Sequence, residues 1–211
     1  VKPLYDTGMG ESSQQGIVFQ RPEHAQLFRD RVRENYQLPT KGGCRPDGPT
    51  DPIIRILNRN IESHRSLLNV DRLQSYLQRM TSHPVTVSTF DNTTFVDQLA
   101  YMSSVDILVS PHGAQLTSIH MMSAPCGGVL EIFPAGYYLP HFFGPLAATS
   151  GLRHGFVYTG TNVQREWYDE LKKEEAKKKK GTKDGQDEED HHYARGRARR
   201  ADICVPLNAT V

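Results

Sequence analysis

Residues 105–134 read VDILVSPHGAQLTSIHMMSAPCGGVLEIFP. Val105, Ile107, Leu108 and Val109 form a short apolar run, the mark of a strand buried on both faces. Pro111, His112 and Gly113 interrupt it, and Ala114 to Met122 fit a helix. Gly127 and Gly128 end that helix, and Val129 to Phe133 form a second strand before Pro134. A strand–turn–helix of this kind aims backbone N–H groups and the positive end of a helix dipole at whatever lies above the strand's carboxyl end. A diphosphate is the natural guest. His112 and Gly113 lie in that turn, and Glu131 lies near the end of the neighbouring strand.

Working outward, the same alternation recurs. Ile53 to Leu57 is a strand ending in the polar cluster Asn58-Arg59-Asn60. A helix over roughly 63–81 is expected to bury Leu67, Leu68, Leu73, Tyr76, Leu77 and Met80. Val85-Thr86-Val87 is the next strand, Phe95 to Ser103 a short amphipathic helix, Tyr137 to Ser150 a further helix, and Phe156-Val157-Tyr158 a last strand. Upstream, Pro22 to Tyr36 read as a helix with Leu27, Phe28, Val32 and Tyr36 on one face. Residues 37–52 are a loop rich in Pro and Gly. The β–α alternation from 53 to 158 predicts an α/β fold, a Rossmann-like parallel sheet with helices on both faces. Right-handed crossovers then gather the loops at 58–65, 90–94, 110–114 and 133–138 on one edge, where ligands of such sheets bind. The expected organisation is an N-terminal helix and linker over 1–52, a nucleotide-binding domain over 53–163, a charged insertion over 164–200 and a returning segment over 201–211.

The chain has 211 residues, 37% of them hydrophobic. The shortfall of apolar residues is local: 164–200 holds 12 of the 25 Lys/Arg and 10 of the 24 Asp/Glu. The remaining 13 basic and 14 acidic residues leave the folded part near neutral, which does not imply a nucleic-acid surface. The charged run cannot bury enough apolar surface to fold alone, and Arg195 to Arg200 read as solvated rather than as a nucleic-acid contact. No apolar stretch reaches the roughly 18 residues of a membrane-crossing helix. The start at Val1-Lys2-Pro3, with no initiator Met or signal pattern, suggests a fragment of a longer protein, any membrane anchor lying in a segment absent from this chain. Cys44, Cys126 and Cys204 are too scattered for a zinc site; one disulfide with a free thiol, or three reduced buried thiols, both fit. Asn92-Thr93-Thr94 and Asn208-Ala209-Thr210 match the N-glycosylation sequon.

The run from Val105 to Thr117, with HGAQLT after an apolar strand, and the apolar-Glu strand Val129 to Pro134 together resemble glycosyltransferase family 61. Asn58-Arg59, Arg65 and Asn69 resemble the family's strand-end Arg and the Arg and Asn that open its next helix. The resemblance spans about Ile53 to Gly160 and resumes at Asp202-Ile203. It implies one half of a GT-B enzyme, the C-terminal donor-binding half, which takes a nucleotide sugar and inverts the anomeric centre. It implies a UDP-sugar donor, a glycan or glycoprotein acceptor, and a Golgi or endoplasmic reticulum lumen location. Gln115 departs from the Ala or Gly usual in the family and is expected to narrow or re-aim the turn. The insertion at 164–200 is also foreign to the pattern. A non-catalytic Rossmann-like nucleotide-binding or scaffold domain is the alternative.

Charge that builds on a leaving diphosphate needs preorganised donors. The candidates for nucleotide-sugar binding are the guanidinium groups of Arg59 and Arg65, His112, and the amides of Gly113 and Ala114. Arg suits phosphate because its planar fork donates two bonds at once. Glu131, a carboxylate in an apolar strand, would be satisfied by ribose hydroxyls or by a structural pair with a crevice Arg. Arg59→Ala and Glu131→Ala are each expected to weaken binding and leave the domain folded. The catalytic base is expected on the other half. No DxD-like pair stands at a strand end, so no metal and no cofactor is expected. Asp106 reads as a turn or capping residue, Arg55 as a snorkelling or paired side chain, and His120, His141 and His154 as structural singles.

Overall fold

The computed structural model describes residues 18–38, 51–123, 126–160 and 197–207. Most of the charged insertion, Cys44, His191, His192 and the second sequon lie outside them. Five strands form one parallel sheet: β1 Ile54–Leu57, β2 Val85–Ser88, β3 Ile107–Pro111, β4 Gly128–Phe133 and β5 Arg153–Tyr158. Their order is β2-β1-β3-β4-β5. This is a doubly wound order, with its topological switch point between β1 and β3. Four α-helices, α1 Pro22–Tyr36, α2 Val70–Thr81, α3 Phe95–Ser104 and α4 Pro140–Thr149, join two 3-10 segments at Ile61–Ser63 and Ala114–Met121.

The central strands β1, β3 and β4 are covered on both faces, as their unbroken apolar runs require. On the front face Leu57, Leu108 and Val129 pack against Met102 of α3, Ile119 of the longer 3-10 segment and Leu146 of α4. On the back face Ile56, Val109 and Ile132 pack against Leu73 of α2 and against Ile203 and Val205 of the returning C-terminal segment. Residue alternation along β4 puts Glu131 on the front, between Val129 and Phe133. The helix α3 starts at a capping box, with Thr94 and Asp97 satisfying each other's backbone N–H groups. At the amino end of the sheet, buried Asp106 accepts from Ile53 N at 2.8 Å and ties β1 to β3.

Three local expectations change. The helix expected over 63–81 begins only at Val70. The residues before it are drawn away from helical geometry: His64 and Arg65 have φ of 58°, Asn58 holds both Leu67 N and Leu67 O, and Leu67 bridges Ile203 in parallel. Leu67 is accordingly buried while Leu68 and Met80 are exposed. The helix α1 turns Arg29 and Arg33 inward and leaves Leu27, Phe28 and Tyr36 exposed. Arg29 donates to His120 O and Ser150 O, and Arg33 to Met121 O. These carbonyls close the 3-10 segment and α4, and helix carboxyl ends favour cations. Finally, Cys126 is disulfide-bonded and Cys204 is a free, exposed thiol, so the reading with three buried thiols falls.

Candidate active site

Parallel pairing brings the loops after β1, β3 and β4 to one edge of the sheet, and β1 and β3 flank the switch point. Arg59 follows β1. Its Nε donates to His64 O at 2.7 Å and its Nη2 to Ser63 O at 2.9 Å. Those bonds aim Nη1 at Gly113, in the turn after β3: a Cβ placed on Gly113 would lie 2.6 Å from Arg59 Nη1 and 3.7 Å from Arg65 Nη2. The turn is thus open because residue 113 has no side chain. Gly113 is also the N-cap of the 3-10 segment, and no side chain caps it. The sequence expectation of an α-helix here is met by a tighter 3-10 winding.

Arg65 is the more exposed to unfavourable electrostatics. Its Nε is buried with no hydrogen-bond partner among the described residues, and its guanidinium lies 6.0 Å from the centre of the Tyr137 ring. Burial, then the charge of Arg59, push its pKa down; Tyr137 opposes this and Arg199 adds to it. Among the described residues no carboxylate is a group acting on it. Burial also lowers Arg59, with Asp91 opposing. Two half-buried cations held together, with Asp91 acting on Arg59, form a place where an incoming anion is favoured.

His112 follows β3 and is 4% exposed. Its Nδ1 lies 2.5 Å from Glu131 Oε1, and His154 Nε2 lies 2.9 Å from Glu131 Oε2. Glu131 is wholly enclosed. An ionised carboxylate only accepts hydrogen bonds, so with Glu131 ionised, Nδ1 of His112 and Nε2 of His154 carry the protons. This tautomer leaves Nε2 of His112 as the ring's available nitrogen. The ring stacks on Phe133 at 5.1 Å and meets Tyr137 edge-on at 5.6 Å. Tyr137 therefore lies beside both Arg65 and His112.

The predicted residues Arg59, Arg65, Gly113 and Ala114 come together at the switch point, with His112 beside them through Tyr137. Glu131 stands one layer behind. Both its oxygens are taken, so a ribose would have to displace two histidines to reach it. The paired state foreseen for it exists, with His112 and His154 in place of an Arg. His154, read as an isolated structural residue, is the member that sequence reasoning missed. The register pairing of β4 with β5 sets it opposite Val129, on the same face as Glu131; a His two residues before Phe156 in a strand was the available signal. Gln115 does not reach into the turn. Its Nε2 donates to Leu57 O at 3.0 Å and Ser110 Oγ at 2.6 Å, bridging β1 and β3 beneath it. Arg55 lies over Tyr101, away from the crevice. His120 Nδ1 donates within its own turn, to Thr117 O at 2.9 Å. Among the described residues no group of three His, Cys, Asp or Glu is arranged to hold a metal ion, and no helix is long and apolar enough to cross a membrane.

Residues 12–129, more than half of the chain, match the family model described as Glycosyltransferase 61. No curated protein matches the chain.

Proposed function

We propose that this chain, which belongs to glycosyltransferase family 61, binds a UDP-sugar at the switch-point crevice and serves as the donor half of a GT-B enzyme. The diphosphate lies over Gly113, where the amides of Gly113 and Ala114 and the guanidinium groups of Arg59 and Arg65 donate to it. The observation that carries this reading is the approach of both guanidinium groups to the space a Gly113 side chain would fill, with Arg65 Nε left unpartnered among the described residues. Backbone amides at a helical start and Arg forks are the donors that phosphate oxygens select.

The proposed reaction is an inverting displacement. A hydroxyl oxygen of a glycan or glycoprotein attacks the anomeric carbon, the bond from that carbon to the diphosphate oxygen breaks, and UDP departs with the electron pair. The hydroxyl proton passes to a base on the other half of the enzyme. Negative charge grows on the diphosphate, and fixed cations stabilise it without reorganising. Here they do so in place of a metal ion. Glu131 holds the His112 ring at Nδ1 and so orients it, as a carboxylate does behind a catalytic imidazole. The two sequons, one of them at exposed Asn92, accord with a Golgi or endoplasmic reticulum location.

UDP at 100 times its dissociation constant should stabilise the protein by about 2.7 kcal/mol, read as a rise in melting temperature. No rise with UDP or any other nucleoside diphosphate at millimolar concentration would defeat the proposal.

A further inference from the structure

We infer that Arg199, brought back to the sheet edge by the C-terminal segment, is a third cation of the anion pocket and contacts the diphosphate that Arg59 and Arg65 bind. The inference rests on the site proposed above and adds to it a residue 86 positions beyond Gly113.

The placement follows from two anchors. Asp202 Oδ1 accepts from Ser66 N at 2.9 Å, Ile203 N donates to Ser66 O at 2.8 Å, and Leu68 N donates to Ile203 O at 2.8 Å. Asn69 and Val205 then exchange a reciprocal pair of bonds at 2.8 and 2.9 Å. With Ile203 buried against Leu67 on the back face, residues 202–205 are locked to the stretch that directly follows Arg65. The second anchor is on the other side of Arg65. Ala198 packs on Gly136, whose missing Cβ would stand 3.1 Å from Ala198 Cβ. Gly136 precedes Tyr137, the ring beneath Arg65. Arg199 therefore sits on a helical turn pinned to both neighbours of Arg65.

Its charge acts on Arg65 in the same sense as that of Arg59. Asp202, the nearest acid in the sequence, spends Oδ1 on Ser66 N. Like charges gathered at one place repel, and a bound dianion relieves the repulsion. Arg199 is exposed, so it stands at the rim, above the half-buried pair. A diphosphate is longer and more highly charged than a single phosphate ester, so it can span from the half-buried pair to a cation at the rim.

The test is calorimetric titration of the full chain with UDP, UMP and inorganic pyrophosphate at low and moderate salt, comparing the parent with Arg199→Gln, Arg65→Gln and Arg200→Gln. Arg199→Gln should weaken UDP and pyrophosphate by about tenfold, the scale of one charge-assisted contact, with little change for UMP. The slope of log affinity against log salt should flatten, and Arg200→Gln, its exposed neighbour, should match the parent. If Arg65→Gln loses UDP and Arg199→Gln does not, this inference falls and the proposed site stands. If pyrophosphate binding depends on Arg199 while the parent shows no preference for UDP, the third cation stands and the nucleotide reading falls. Absence of all binding by the parent overturns both.

Discussion

Replacing Glu131 by Ala should destabilise the domain, contrary to what a ribose-binding carboxylate would do. Glu131 is 0% exposed and holds His112 Nδ1 at 2.5 Å and His154 Nε2 at 2.9 Å. Hydrogen bonds to a charged group contribute about 1.5–3 kcal/mol each. Removing one member of a buried set also strands its partners, at a cost of about 3–5 kcal/mol. Taken together, Glu131→Ala should cost about 4 kcal/mol against a total of about 5–15 kcal/mol for a domain. With a urea slope near 2 kcal/mol per molar, the midpoint should fall by about 2 M. Glu131→Gln keeps the volume and one acceptor oxygen, and a histidine can change tautomer to accept from the amide, so it should cost about half as much. Urea unfolding followed by far-ultraviolet circular dichroism reads both. An Ala variant within about 1 kcal/mol of the parent would refute the buried pairing, and with it the view that Glu131 acts through His112.

Two further outcomes follow from the geometry. Gly113→Ala should leave stability nearly unchanged, because φ of 166° is extended backbone open to any residue, yet weaken UDP by about tenfold, one 1.4 kcal/mol step. Its Cβ would meet Arg59 Nη1 and push the fork off His64 O and Ser63 O; unaltered affinity in calorimetry would remove Arg59 from the site. His120 is held below its ordinary 6.5 by burial, with Arg29 acting in the same sense and the bond to Thr117 opposing. The folded chain thus resists a proton that the unfolded chain accepts, so this part of the stability is complete above about pH 6.5 and is lost as pH falls below it. His120→Gln should flatten the acid limb of a stability–pH curve, and an unchanged limb would contradict the assignment.

The sheet was legible because its signal is local and repeated. Each strand is a short apolar run closed by a turn, and β1 to β5 stand where those runs lie. The switch-point residues were legible for the same reason: topology alone carries the loops after β1 and β3 together. What periodicity missed was set by tertiary polar bonds. Leu67 fits a helix pattern, but Asn58 and Ile203 claim its backbone, so α2 starts late. Leu27, Phe28 and Tyr36 of the α1 stripe stay exposed while Val32 packs on the core, because carbonyl ends of two other elements draw Arg29 and Arg33 inward. His154 looked like an isolated residue and Arg199 like part of a solvated basic run since their partners are distant in the chain, and only the β4–β5 register and the return of residues 198–205 bring them toward Glu131 and Arg65.

The most direct measurement is a crystal structure of the protein with UDP. The diphosphate should lie over Gly113, within hydrogen-bond reach of its amide and of the Arg59 and Arg65 guanidinium groups, with Glu131 still bound by its two histidines. A diphosphate at another edge of the sheet, or one that leaves both arginines unengaged, would contradict the proposed site.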